Sequence, residues 1–276
     1  MASELHISIS AEPVFHIGKL AITNSMLTGW LITGLLILFS LWFYQRLTRV
    51  SYRTKPKRLQ SFVELIIEGL YNLVQSIAGS NHKARIFLPI FATFFLYILL
   101  SNWSGLLPGV GSVGFREREV ANVSKVEKVE RGETEDKFVP YFRGPTADIN
   151  TTLALAIFSV GTIQVVGFKF LGFHYPTKFF NFSDPIKFFV GFLELFLEFA
   201  KIFSFAFRLF GNIFAGEVLL TVIAFLMPVL APLPFLGLEI FVGFIQALVF
   251  SMLTLVFLNL ATMGHGSEAV EGVPDH

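Results

Sequence analysis

From Pro185 to Met227 the chain is largely apolar and helix-compatible throughout, and this stretch limits the possible folds more than any other. At about 1.5 Å per residue it extends about 64 Å as an α-helix, roughly twice the ~30 Å hydrocarbon core of a bilayer. Either it folds back as a hairpin of two spans, or it crosses as one helix strongly inclined to the membrane normal. A hairpin requires a breaker near residue 206, and the nearest glycines are Gly191 and Gly211. The inclined helix is the expectation.

Inside that stretch, Phe205-Ala206-Phe207-Arg208-Leu209-Phe210-Gly211-Asn212-Ile213-Phe214-Ala215-Gly216-Glu217 sets one arginine and one glutamate in an otherwise almost wholly apolar run. A guanidinium keeps its proton in any protein site, so Arg208 cannot escape a low dielectric by neutralising. Placing it at mid-membrane costs about 2.5–3.5 kcal/mol even on insertion scales. Such a residue needs a counter-charge or a task. Glu194, Lys201 and Arg208 are spaced by heptads, drift only ~20° per heptad and share one face, with Asn212 four residues beyond. Glu217 falls about half a turn round from Arg208 and faces away. In the last apolar segment Glu239 and Gln246 are again a heptad apart.

The plain alternative is that these charges pair only to hold helices together. By spacing, Lys201 can pair with Glu198 or Glu194. No acid lies three or four residues from Arg208, so its counter-charge comes from elsewhere in the chain or from another protein. Carboxylates inside a membrane, such as Glu217 and Glu239, suit proton relay near neutral pH.

Hydrophobic residues make up 54% of the 276 residues and charged ones 15%, against roughly 25% charged in a soluble domain, and mean hydropathy is +0.66. The expectation is an all-α polytopic membrane protein, one membrane domain with five membrane-embedded helices. Residues 1–20 read as a polar external segment without the pattern of a cleaved signal peptide. Span 1 covers 26–44 and ends in Trp42 and Tyr44, as an interfacial belt does. The loop 45–60 carries Arg46, Arg49, Arg53, Lys55, Lys57 and Arg58 without an acid, which places it in the cytoplasm and the N-terminus outside. Residues 61–79 read as an amphipathic interfacial helix opened by a capping box, Ser61-Phe62-Val63-Glu64. Phe62, Ile66, Leu70, Val74 and Ile77 form its apolar side.

Span 2 covers 86–107, and a charged external loop follows over 109–146; its run 116–137 mixes both signs and reads as solvated. Span 3 covers 148–171, running inward to a loop flanked by Lys169, Lys178 and Lys187 with Asp184. The inclined helix takes 185–227. Pro228, Pro232 and Pro234 then form an uncharged turn, the C-terminal helix pairs with the inclined one over 235–263, and the tail 264–276 is cytoplasmic. Without cysteine there is no disulfide or thiol nucleophile, the six histidines form no metal-binding pattern, and no cofactor is implied. No P-loop occurs, and no basic-aromatic interleaving points to nucleic acid.

At Arg208-Leu209-Phe210-Gly211-Asn212 the sequence resembles subunit a of F-type ATP synthases, the stator half of a proton channel. The likeness includes Ser101-Asn102-Trp103 with Gly105-Leu106-Leu107-Pro108, then Pro145-Thr146-Ala147-Asp148-Ile149-Asn150, Phe207 to Glu217, and Ile245-Gln246-Ala247 with Phe250. The resemblance implies that Arg208 faces a rotating ring of c subunits, each with a membrane carboxylate. The fixed cation favours the ionised carboxylate as it passes and bars direct leakage between two offset half-channels. It implies that Gln246 lies near Arg208 and helps orient it. Glu217 and Glu239 would line the outer entry path, with Asp148 and Asn150 near its mouth. Glu194 belongs to the inner exit path, with Asn212 and Ser204 as polar lining. One antiparallel register brings Arg208 to Gln246 and Glu217 to Glu239. Implied partners are the c-subunit ring, peripheral-stalk b subunits and the remaining ATP synthase subunits; the implied location is a bacterial inner membrane, or else a thylakoid.

Three features depart from the family. Ile202 follows Lys201 where proline is common, Glu239 stands where some members have histidine, and the loop 116–137 is long. A transporter or channel acting alone is the alternative reading; it is expected to show inverted repeats, and none is found. An intramembrane enzyme using Glu217 and Glu239 as acid and base lacks any nucleophile or metal set.

Overall fold

The computed structural model describes residues 11–17, 20–48, 58–107, 109–110, 113–118, 136–172, 175–176, 179, 185–227 and 230–263. Most of the basic loop, the charged run over 119–135, Lys178, Asp184, Pro228 and the tail from 264 onward lie outside the described residues.

Six α-helices account for most of the described chain: α1 Asn24–Thr48, α2 Arg58–Ala78, α3 Asn81–Ser104, α4 Ile149–Leu171, α5 Pro185–Leu226 and α6 Pro232–Ala261. All but α2 are long and apolar enough to span a membrane. The helix α5 is continuous over 42 residues, which excludes the hairpin. At ~63 Å it fits a bilayer only when strongly inclined.

The structure adds two small antiparallel hairpins to the helical plan. Strands β1 (Pro13–Ile17) and β2 (Leu20–Thr23) precede α1, and β3 (Gly114–Arg118) pairs with β4 (Asp136–Pro140) across the charged loop. Two element boundaries also differ from expectation. Ser61 is not the cap of α2, because the helix is already formed at Arg58, and Glu64 instead accepts from Gln60 Nε2 at 2.8 Å. Pro232 and Pro234 lie in the first turn of α6 rather than in a turn before it. Proline has no N–H to lose there, since the first four N–H groups of a helix are unpaired anyway.

The core sits where α3, α4, α5 and α6 meet. Phe87, Phe91, Ile98, Leu209, Phe250, Leu255 and Leu258 are almost wholly buried within it. The Phe205 ring lies tilted against that of Phe250, centroids 5.1 Å apart, joining α5 to α6. In lipid such contacts stabilise by close fit and dispersion, because leaving lipid for a protein interior gains little hydrophobic energy.

Polar ties then fix which helix meets which. Asn102 Nδ2 donates to the Gly243 carbonyl at 2.8 Å and Trp103 Nε1 to the Ile240 carbonyl at 3.0 Å, so the Asn-Trp pair of α3 grips the backbone of α6. Ser159 and Thr254 share a 2.8 Å hydrogen bond between α4 and α6. Asn259 Nδ2 reaches the Ile77 carbonyl at 2.9 Å, attaching the end of α2. The N-terminal half of α2 keeps Phe62 and Ile66 exposed while Val74 is buried, so only the second half of its apolar side packs on the bundle.

Candidate functional site

The helix α5 has two unlike faces. Gly191, Glu198, Phe205, Ala206, Leu209, Ile213 and Gly216 recur at helical spacing and are buried against its neighbours. The opposite side exposes Phe196, Phe199, Phe203 and Phe207, and beside them Ser204, Arg208, Gly211, Asn212 and Ala215. Arg208 thus stands on an open, apolar face bordered by short side chains. Among the described residues it has no hydrogen-bond or ion-pair partner.

Two contacts fix the antiparallel register of α5 and α6. Asn212 Nδ2 donates to Gln246 Oε1 at 2.6 Å, and the Glu239 carboxylate lies directly against Gly216. The partner of Gln246 is therefore Asn212, one turn from Arg208, rather than the arginine itself. Gln246 is buried, and its Nε2 finds no hydrogen-bond partner among the described residues. A β-carbon at position 216 would overlap the Glu239 carboxyl group, so glycine is what lets that acid reach α5. Glu239 is brought to the residue adjoining Glu217, and the two expected outer acids lie on the same stretch.

Glu217 has a partner that the sequence did not reveal. Arg143 Nη2 donates to Glu217 Oε2 at 3.1 Å, with the arginine side chain 11% exposed and the glutamate 42%. Arg143 follows β4 in a loop whose backbone is held by Thr28 Oγ1, which accepts from Arg143 N at 3.3 Å. It belongs to a loop read as solvated charge. The only hint was its position two residues before Pro145-Thr146-Ala147-Asp148.

That motif folds as a 3-10 turn over Pro145–Ala147 packed on α1, α3, α4 and α5. Asp148 caps α4: Oδ1 accepts from the Asn150 backbone N–H at 3.2 Å, and Oδ2 accepts from Ser25 Oγ at 2.9 Å and Thr151 Oγ1 at 3.3 Å. Asn150 Nδ2 adds a 3.4 Å contact to Oδ1. Asp148 is buried and its oxygens are fully engaged, while Asn150 is exposed beside it.

At the other end of α5, Lys201 Nζ donates to Glu198 Oε1 at 2.7 Å, the pairing that the spacing allowed. Its ammonium also lies 4.3 Å from the ring centroid of Phe257 on α6. Glu194 is half-buried one turn before Glu198. The site residues thus fall into three groups along α5: an acidic pair with Arg143 toward its C-terminal end, a central open cation, and a charged cluster toward its N-terminal end.

Comparison with known proteins gives a family match and matches to individual relatives. The family model described as ATP synthase A chain matches residues 26–259. A protein of Geotalea uraniireducens (strain Rf4) named ATP synthase subunit a is 34% identical over 251 residues, covering 90% of this chain and 90% of that one.

Proposed function

The chain belongs to the ATP synthase A chain family, and from that premise we propose that it is the proton-translocating stator subunit of the membrane sector, working against a rotating ring of c subunits. The observation that carries this is Arg208: a permanent cation, exposed on an apolar helix face and without an internal partner among the described residues. A charge so placed lowers its energy by meeting an acid from outside the chain. Ser204, Gly211 and Ala215 flank it with short side chains, which allows another helix to come close.

A ring carboxyl group arriving protonated beside Arg208 is favoured as its anion and sheds the proton. The anion moves on only by taking a proton from the other side, so transport and rotation are coupled. Glu217, Glu239 and Arg143 would form the outer entry, with Asp148 and Asn150 shaping its mouth, and Glu194 with Ser204 and Asn212 would line the inner exit. Gln246, held by Asn212, keeps a polar wall behind the arginine. Phosphoryl transfer belongs to other subunits. The N-terminus lies outside and the C-terminus in the cytoplasm of a bacterial inner membrane. Peripheral-stalk b subunits would hold the chain against the ring.

The test is proton-driven ATP synthesis in membrane vesicles holding the complete complex. Arg208→Ala leaves the complex assembled and abolishes coupled synthesis. Arg208→Lys fails too, because an ammonium lacks the planar donor fork and can itself lose a proton. Normal coupled synthesis by Arg208→Ala would refute the reading.

A further inference from the structure

The inner end of α5 holds a polar cluster that the arginine face does not use. Glu198 is 8% exposed; Lys201 occupies its Oε1, and its Oε2 has no hydrogen-bond partner among the described residues. From α4, Gln164 Oε1 accepts the Tyr175 hydroxyl at 2.7 Å, and its buried Nε2 is likewise without a hydrogen-bond partner among the described residues. Tyr175 itself is buried, its ring lying so close over Gly167 that a β-carbon there would come within 2.5 Å of Cε2. Burial first, then the charges of Glu198 and Glu194, push the Tyr175 phenol up to about 12. It therefore stays protonated and serves as a donor, and both carboxylates act on it electrostatically.

One tyrosine thus gathers a buried donor from α4 and a buried acceptor from α5, neither of them satisfied. Leaving a buried polar group unsatisfied is costly. A water with two to four polar partners relieves that cost, and it needs what these two atoms offer. A water at Gln164 Nε2 would accept from it, and a water at Glu198 Oε2 would donate to it.

We propose that Glu198, Gln164 and Tyr175 line a hydrated inner exit for protons leaving the Arg208 face, with Glu198 as its relay carboxylate. The proposal deepens the stator reading and rests on it. A proton delivered by water adds to Glu198 Oε2, and the O–H so formed passes it to a water nearer the inner surface, which regenerates the carboxylate. Lys201, pinned over Phe257, fixes the orientation of Glu198. Tyr175 holds the Gln164 oxygen, which keeps the N–H₂ end of the amide available to water. Glu198 lies about 15 Å along α5 from Arg208.

The chain contains no cysteine, so single cysteines can be read cleanly. Gln164→Cys and Glu198→Cys are compared with Leu197→Cys, whose native side chain is 57% exposed on the apolar outside of α5. The complete complex in inverted vesicles is treated with a small charged methanethiosulfonate from the inner side, and modification of this chain is followed by mass. The first two are modified at least about tenfold faster than the third. Glu198→Gln, in assembled complex, lowers passive proton flow about tenfold, the change that one unit of proton affinity makes. Equal reactivity at all three positions, or unchanged flow in Glu198→Gln, would overturn the proposal. Arg208→Ala is measured beside them. If it kills coupled synthesis while Glu198→Gln behaves normally, only the exit assignment fails; if it synthesises ATP normally, the stator reading itself fails.

Discussion

Arg143 and Gly216 show how the outer side of the site depends on single side chains. The Arg143–Glu217 pair is partly open to its surroundings, so it contributes no more than about 1 kcal/mol to stability. Its consequence lies in charge: it sets a fixed cation beside Glu217. Arg143→Gln is expected to leave assembly and thermal stability nearly unchanged while slowing ATP-driven proton pumping several-fold, measured by dye quenching in vesicles. Gly216→Ala places a methyl group where the Glu239 carboxylate lies and displaces that acid. Pumping falls about tenfold, equivalent to about 1.4 kcal/mol, and Gly216→Ala with Glu239→Asp recovers part of it because the shorter acid retracts. The Lys201–Glu198 pair could be read from i,i+3 spacing, whereas Arg143–Glu217 could not. Those two residues are 74 apart, and nothing local joins them before the loop after β4 is folded onto α5.

Among the elements, α5 and α4 were the most legible in sequence, each for a stated reason. The absence of a breaker near residue 206 made α5 one helix, and a long apolar run made α4 another. The hairpins β1–β2 and β3–β4 were missed because strands of four or five residues are too short to carry a clear periodic signal. The start of α2 was misplaced because Ser61 and Glu64 fit a capping box that the helix does not use. Asp148 joins α4 to α1 through Ser25, so its removal loses a cap and leaves buried donors unsatisfied. Asp148→Ala is expected to destabilise the folded chain by about 1–2 kcal/mol. Thermal unfolding of the purified complex in detergent measures it, and Asp148→Asn retains most of the stability because the amide oxygen still caps.

Across the whole molecule, the buried faces of α3, α4, α5 and α6 build one core, and the charged residues of α5 fall into three sets along it, two near its ends and one at its centre. A continuous inclined helix carries all three sets through the bilayer without a break. The open stripe holding Arg208 has the form of half an interface: short residues for close approach, phenylalanines alongside, and one unneutralised cation. Membrane potential is worth ~2.3 kcal/mol per charge per 100 mV, and only a face that ions must pass can convert it into rotation. The most direct measurement is cysteine cross-linking in the assembled complex, with Phe207→Cys in this chain and a single cysteine one turn from the membrane carboxylate of the ring subunit. The account predicts a disulfide between the two chains at high yield under mild oxidation. No cross-link there, together with efficient cross-linking of Phe207→Cys to a second cysteine introduced on another helix of this chain, would contradict it.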